Sequence, residues 1–249
     1  MPVAIITGAS RGLGRALAAQ LAGRGWDLVL DGRNADALRS AAAELERTAE
    51  KSPGTSNGPA GRGPAVRAVP GDVTDPAHRA ELVAVALDLG DGGGIDLVVN
   101  NASALGAEPL VPLAELPVEG LREALETNVT APFALLRAAL PGLRTAGGAV
   151  VNVSSDAAVE AYPTWGGYGA SKAALEQLSA VLAQEEPELR VWWVDPGDLR
   201  TQLYAAAVPD DEDFDERLLP EEVAPAFLRL LDARAPGGRY VASVLLETR

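Results

Sequence analysis

The sequence predicts an α/β fold: a doubly wound parallel sheet with helices on both faces, a three-layer sandwich. Two observations carry this. Short, β-branched apolar runs alternate with helical patterns along all 249 residues, with no internal repeat and no break in composition. The first run, Val3-Ala4-Ile5-Ile6, passes through a glycine-rich turn directly into a helical pattern, which is how a β-α-β unit begins. Right-handed crossovers between such strands gather the segments that follow their C-terminal ends into one crevice.

Taken in order, Val3 to Ile6 reads as a strand buried on both faces. It ends in Thr7-Gly8-Ala9-Ser10-Arg11-Gly12-Leu13-Gly14, after which Leu13, Leu17 and Leu21 mark one stripe of a helix that stops near Gly23 and Gly25. Small residues at a helix N-terminus leave free N–H groups and a positive dipole end, a place for a phosphate to approach the backbone closely. Trp26 to Leu30 reads as the second strand, followed by Asp31-Gly32-Arg33-Asn34 and a helix from about Asp36 to Glu50. Residues 51–64, rich in Gly, Pro and Ser, read as a flexible surface loop. Ala65 to Val69 is the third strand. Gly71-Asp72-Val73-Thr74-Asp75 then leads through Pro76, at the first helical position, into a helix ending near Leu89. Ile95 to Val99 is the fourth strand, running into Asn100-Asn101-Ala102-Ser103. One long helix, about Gly120 to Leu140, carries Asn128. The fifth strand leads to Ser155, the helix of Tyr168 extends to about Gln184, and the sixth strand, Arg190 to Val194, meets Asp195-Pro196-Gly197.

Composition narrows the function. Hydrophobic residues make up 47% and charged residues 22%, sufficient for one large core, so residues 1–249 are expected to form a single domain. The balance of 21 Lys+Arg against 35 Asp+Glu gives a net charge of −14, which repels nucleic acid and anionic membranes. No apolar run approaches the ~20 residues needed to span a bilayer, and Met1 to Ile6 reads as a strand rather than a charged leader. Without cysteine, and with His78 the single histidine, thiolate and most histidine metal sites are excluded, and a reducing cytoplasm is the expected location.

The chemistry-bearing pattern is Tyr168-Gly169-Ala170-Ser171-Lys172, with Ser155 thirteen residues upstream. Tyr and Lys four apart share one helix face, roughly 6 Å apart along the axis. An ammonium beside a phenol favours the phenolate, which equips the tyrosine to exchange a proton near neutral pH. On an ordinary helix the same pair is a half-buried Tyr and a solvated Lys, so the rest of the chain decides. Gly8-Ala9-Ser10-Arg11-Gly12 also matches the nucleophile elbow of an α/β-hydrolase. That reading requires a histidine late in the chain and an oxyanion loop upstream. His78 comes too early, only seven residues precede Gly8, and His78 reads as a surface residue in a helix's first turn.

Along nearly its whole length the chain resembles the short-chain dehydrogenase/reductase family. The matching segments are Thr7-Gly8-x-x-x-Gly12-x-Gly14, Asn100-Asn101-Ala102, Asn128, Ser155, Tyr168-x-x-x-Lys172 and Pro196-Gly197-x-x-x-Thr201. The resemblance implies a Rossmann sheet of about seven strands, with Arg239 to Leu245 as the last, and hydride transfer between a nicotinamide nucleotide and a carbonyl or alcohol. It makes Tyr168 the general acid/base, with Lys172 tuning it and binding ribose. It gives Ser155 the substrate oxygen and Asn128 a water relay. Gly8, Ser10, Arg11, Gly12, Leu13, Gly14, Arg33, Asp72, Val73, Asn101, Ala102, Pro196, Gly197 and Thr201 become cofactor contacts, together with Tyr168 and Lys172. Ser103 departs from the family's usual glycine. Residues 198–219 take the place of the substrate-side loop, with the acidic run 209–216 read as solvated, mobile and unfavourable to anionic substrates. The partners implied are a small-molecule carbonyl or alcohol and further copies of the chain, as a homodimer or homotetramer. A non-catalytic NADP-binding redox sensor or scaffold is the alternative.

Family members that prefer NAD usually carry an acidic residue at the end of the second strand. That position falls on Gly32, and Asp31, one residue earlier, should point to the opposite face. Arg33 and Arg11 stand where NADP-preferring relatives carry cations, and forked guanidinium bonds suit a phosphate. NADP is therefore expected over NAD.

Overall fold

A computed structural model of the chain describes residues 1–50 and 63–247. All but the last two residues of the expected loop at 51–64 lie outside the described residues. The strands are β1 (Val3–Ile6), β2 (Asp27–Gly32), β3 (Val66–Pro70), β4 (Leu97–Asn100), β5 (Ala149–Val153), β6 (Arg190–Asp195) and β7 (Gly238–Val241). They form one seven-stranded sheet in the order β3-β2-β1-β4-β5-β6-β7, every neighbouring pair parallel. The chain moves outward from β1 to β3, then returns to the centre at β4 and moves outward the other way. The switch point therefore lies between β1 and β4, where a doubly wound sheet opens its crevice.

Side-chain alternation explains why the strands read as unbroken apolar runs: each face is covered. Val3, Ile5, Val29, Val98 and Val150 pack on one face with Leu82 and Val83 of α3 (Pro76–Leu89) and Leu135 and Leu143 of α5 (Ala131–Ala146). Ala4, Ile6, Leu30, Leu97 and Trp192 pack on the other, against Leu17 and Leu21 of α1 (Gly12–Ala22) and Phe227 of α8 (Pro220–Ala233). The Trp192 indole, fully buried, donates to the carbonyls of Ala235 and Pro236, both at 3.1 Å, so its polar atom is satisfied. Helix α2 (Ala35–Glu50) follows β2, and the Asp75 side chain caps α3 by accepting from Ala77 N–H at 2.9 Å.

Three expectations are corrected. The helix expected over 120–140 is interrupted: α4 (Val118–Leu125) and α5 flank a π-helical turn at Glu126–Thr130 that contains Asn128. An α-helical bond onto the Asn128 carbonyl would need an N–H at position 132, which is proline. The last strand ends at Val241, and Ala242–Glu247 forms α9, because a helix there packs Leu245 and Leu246 on the cluster that holds Phe227. His78 is no surface residue: its side chain is 5% exposed, and its ring fills the space left by Gly71, where an added Cβ would lie 2.2 Å from Nδ1.

Candidate active site

Because all seven strands run one way, the segments after β1, β4, β5 and β6 meet at one edge of the sheet. The first two are laced together. The buried Thr7 hydroxyl accepts the N–H groups of Asn101 and Ala102, each at 3.0 Å. The Asn101 amide donates to the carbonyls of Thr7 (2.8 Å) and Gly8 (3.2 Å). Gly8 and Gly12 have φ of 64° and 57°, the left-handed region that glycine tolerates. At Gly14 the fit is tighter still. A Cβ would lie 2.6 Å from both the Gly8 carbonyl and the Asn101 amide, so the first turn of α1, with Leu13 buried, presses directly on the loop. A Cβ at Gly12 would instead meet Thr201 Cγ2 at 3.6 Å. Bare backbone at a helix N-terminus suits the pyrophosphate of a dinucleotide.

Around that cradle Ser10 is half-buried. The exposed Arg11 guanidinium donates to the Gln202 carboxamide beside Thr201. Gly32 offers no carboxylate, and Ser10 Cβ and Oγ lie 3.4 Å from where its Cβ would stand. Arg33 is exposed. Asp72 accepts from Thr74 N–H (2.9 Å) and hydroxyl (2.8 Å). The Thr74 bonds, with smaller contributions from Arg33 and His78, hold its carboxyl below the ordinary carboxylate range. Val73 is buried beside it. Pro196 and Gly197 turn the chain after β6, with Gly197 at φ 73° and its N–H on Asp195 Oδ1 at 2.9 Å. The Thr201 hydroxyl caps α7 (Gln202–Ala207) by accepting from Tyr204 N–H.

The Tyr168–Lys172 pair lies on α6 (Gly166–Glu185), and both side chains are buried. Lys172 Nζ stands 5.4 Å from the Tyr168 ring centroid and donates to the Val153 carbonyl at the end of β5 (2.8 Å). Trp165 packs edge-on to Tyr168 at 5.6 Å between centroids. Ser155 accepts from Ala157 N–H and donates to Asp156 Oδ1 at 2.9 Å. Its neighbour Ser154 is buried and committed to Glu176 at 2.5 Å, unlike Ser155. Asn128 is fully buried: its Oδ1 accepts from Ala104 N–H (2.8 Å) and the Ser103 hydroxyl (3.1 Å), and its Nδ2 donates to Ala104 O and to Ser171 Oγ. The amide thus ties the segment after β4 to the helix of Tyr168 and Lys172.

Burial dominates the electrostatics. It pushes the Tyr168 phenol well above its ordinary value. The Ser103 hydrogen bond opposes that, while the charges of Asp195, Asp156 and Asp198 add to it. Burial also lowers the Lys172 ammonium to about 8. The ammonium is turned to the Val153 carbonyl, and burial is the cause of its lowered value.

Sequence reasoning missed several neighbours. Asp156 holds Ser155 and also accepts from Tyr162. Ser103, flagged only as a departure, bonds Asn128. The segment 198–219 is a built structure: Arg217 pairs with Asp211 at 3.0 Å, stands 5.5 Å over the Tyr204 ring, and Tyr204 stacks on Phe214. Asp211 is 11% exposed, so the acidic run is not wholly the solvated loop expected. The signal was Arg217, a cation close behind a run of acids. Leu105 and Trp165 pack with Tyr168, Ala157 and Ala207 in one apolar cluster.

The fold and these positions can be set beside known proteins. The family model described as short chain dehydrogenase matches residues 2–212. The uncharacterized oxidoreductase YciK of Escherichia coli is 32% identical over 243 residues, which are 95% of this chain and 89% of that one. An alcohol dehydrogenase from the archaeon Thermococcus sibiricus, complexed with 5-hydroxy-NADP, superposes with a TM-score of 0.82 at 30% identity, over 97% of this chain and 95% of that one. A short chain dehydrogenase from Shigella flexneri, complexed with NADP, gives 0.83 at 30% identity, over 97% of both. Sheet order, cradle and sequence agree, and the chain belongs to the short-chain dehydrogenase family.

Proposed function

We propose that the protein is an NADP(H)-dependent oxidoreductase acting on a small carbonyl compound or secondary alcohol. The observation that carries this is the buried Tyr168–Lys172 pair, placed with Ser155 at the same sheet edge as the glycine cradle. In this reading the dinucleotide lies along Gly8 and Ser10–Gly14, with Asp72 and Val73 at its adenine and Asn101, Ala102, Pro196, Gly197 and Thr201 toward its nicotinamide. Bound there, the nicotinamide supplies or accepts the hydride. Ser155 and Tyr168 hold the substrate oxygen, and Tyr168 gives or takes its proton, which stabilises charge developing on that oxygen. Lys172 lies one turn from Tyr168. Turned from Val153 toward a ribose and the phenol, its ammonium would hold the first and lower the pKa of the second. The Asn128 amide is committed to protein partners, so a relay water is held by its main-chain carbonyl, which Pro132 leaves without an α-helical partner. Carboxylates of Asp156 and Asp198 near the phenol disfavour anionic substrates.

NADP is the preferred form in this reading. Gly32 presents no carboxylate to a 2′-phosphate, Asp31 is bonded to Gly8 and His78, and Arg33 is exposed directly after Gly32, while Arg11 would have to turn from Gln202 to reach a phosphate there. The complexes of the Thermococcus and Shigella proteins with NADP forms support the choice. The test is kcat/KM for NADPH and NADH over a panel of aldehydes and ketones. NADPH is expected to win by at least about tenfold, and Arg33→Ala to lower the NADPH value alone. A strong NADH preference contradicts the phosphate site. Tight cofactor binding with no turnover on any carbonyl favours the sensor.

A further inference from the structure

Three segments far apart in sequence meet on the cofactor side of the crevice: the end of β2, the glycine segment after β1 and the first turn of α3. A side-chain pair joins them. His78 Nε2 lies 2.6 Å from Asp31 Oδ1, and the two side chains are 5% and 2% exposed. The other carboxylate oxygen of Asp31 accepts the Gly8 N–H at 3.2 Å, and the Asp31 main-chain carbonyl accepts the Ala9 N–H at 2.8 Å. Asp31 thus holds the start of the glycine segment by carboxylate and carbonyl together. Gly71 makes room for the imidazole, and its N–H donates to the Gly32 carbonyl at 3.2 Å, closing β3 onto the same corner.

A buried carboxylate bonded to the first glycine of a phosphate cradle works against an anionic ligand, because little water screens it there. What offsets it is the imidazolium. We propose that His78 is a positioning residue for the cofactor: by neutralising Asp31 it leaves the glycine segment fixed but without a net negative charge, so that dinucleotide affinity follows the charge on the His78 imidazole. This rests on the reading of Gly8–Gly14 as the dinucleotide cradle.

The groups facing His78 favour its charged form. The Asp31 bond acts most strongly and outweighs burial, Glu81 and Asp75 of its own helix and cap add to it, and the imidazole pKa lies above the ordinary value. Asp72, in the turn after β3, is within electrostatic reach of His78 and Arg33. The neighbouring Arg79 is turned to the Val73 carbonyl at 2.7 Å. A raised histidine pKa means that the ion pair is complete below the unfolded histidine's pKa and is lost as pH rises through the folded one. Cofactor affinity should fall over that same rise, as the imidazole loses the charge that faces the Asp31 carboxylate.

The experiment is a fluorescence titration of the full chain with NADPH and NADH from about pH 6 to 9, backed by ligand-induced thermal shifts. NADH is included because the 2′-phosphate of NADPH titrates in the same range. His78→Gln keeps a donor toward Asp31 and removes the charge. It is expected to weaken binding by about tenfold at low pH and to flatten the pH dependence, with kcat at saturating cofactor close to wild type. Adding Asp31→Asn to His78→Gln is expected to restore affinity, since no uncompensated charge remains; a packing role alone gives no such rescue. Asp31→Asn by itself, isosteric and still able to accept from Gly8, covers a failure of His78→Gln to fold. It should keep at high pH the affinity that wild type has at low pH. Wild type that binds cofactor with a profile matched by these variants overturns the proposal alone. Wild type that binds neither nucleotide overturns the cradle reading and the proposal together.

Discussion

Tyr168→Phe is expected to lower kcat by about 10²- to 10⁴-fold, the range over which positioned acid–base groups act, while the cofactor Kd stays near the wild-type value. The variant loses one hydroxyl. The ring remains packed on Trp165, Leu105 and Ala157, so the fold around it should hold. The lost oxygen is the one group in the buried cluster that can pass a proton to a substrate oxygen bound at Ser155. A comparable kcat in the variant, measured at saturating cofactor and substrate, would remove Tyr168 from the mechanism.

Lys172→Met is expected to act on three observables at once. Cofactor binding weakens, activity in the alcohol-oxidising direction moves to higher pH because no ammonium favours the phenolate, and kcat/KM falls by roughly 10²-fold or more. Thermal stability behaves differently. The depressed ammonium pKa of about 8 means that burial works against the charged form. Below that pH the unfolded chain holds the proton at less cost, and the penalty is relieved only as pH rises above about 8. Methionine removes this penalty and gives up the bond to the Val153 carbonyl, so at pH 7 the variant should melt at or above wild type in the absence of cofactor. A residue kept at the expense of stability is what a functional role predicts. An unchanged pH profile together with a lower melting temperature would make Lys172 a structural residue.

The sequence made most of the scaffold legible, for physical reasons that can be named. Val3 to Gly14 announces itself because a strand covered on both faces must be continuously apolar, and because backbone pressed on backbone at Gly14 admits no side chain. Ser155, Tyr168 and Lys172 converge because parallel strands deliver their C-terminal ends to one edge. What stayed hidden depended on contacts between distant segments. Apolar periodicity runs through the π turn at Asn128 unchanged, and only the meeting of Pro132 with a buried amide network breaks the helix. Val241 to Leu245 suits a strand or a helix equally by composition, and docking on α8 decides for helix. His78 looked like a helix-start residue on the surface, since its partner lies 47 positions away. The acidic run at 209–216 looked solvated because its organising cation, Arg217, follows the run rather than interrupting it.

The central claim is that this crevice moves a hydride between a reduced nicotinamide and a carbonyl carbon, with Tyr168 handling the proton. It is tested most directly by following isotope from NADPH carrying deuterium at both nicotinamide C4 positions into the product formed from a carbonyl substrate. The account predicts one deuterium on the carbinol carbon per NADPH oxidised by wild type, and near-absence of labelled product from Tyr168→Phe although that variant still binds NADPH. Cofactor oxidation with no deuterium in the product, or labelling by Tyr168→Phe at the wild-type rate, would contradict it.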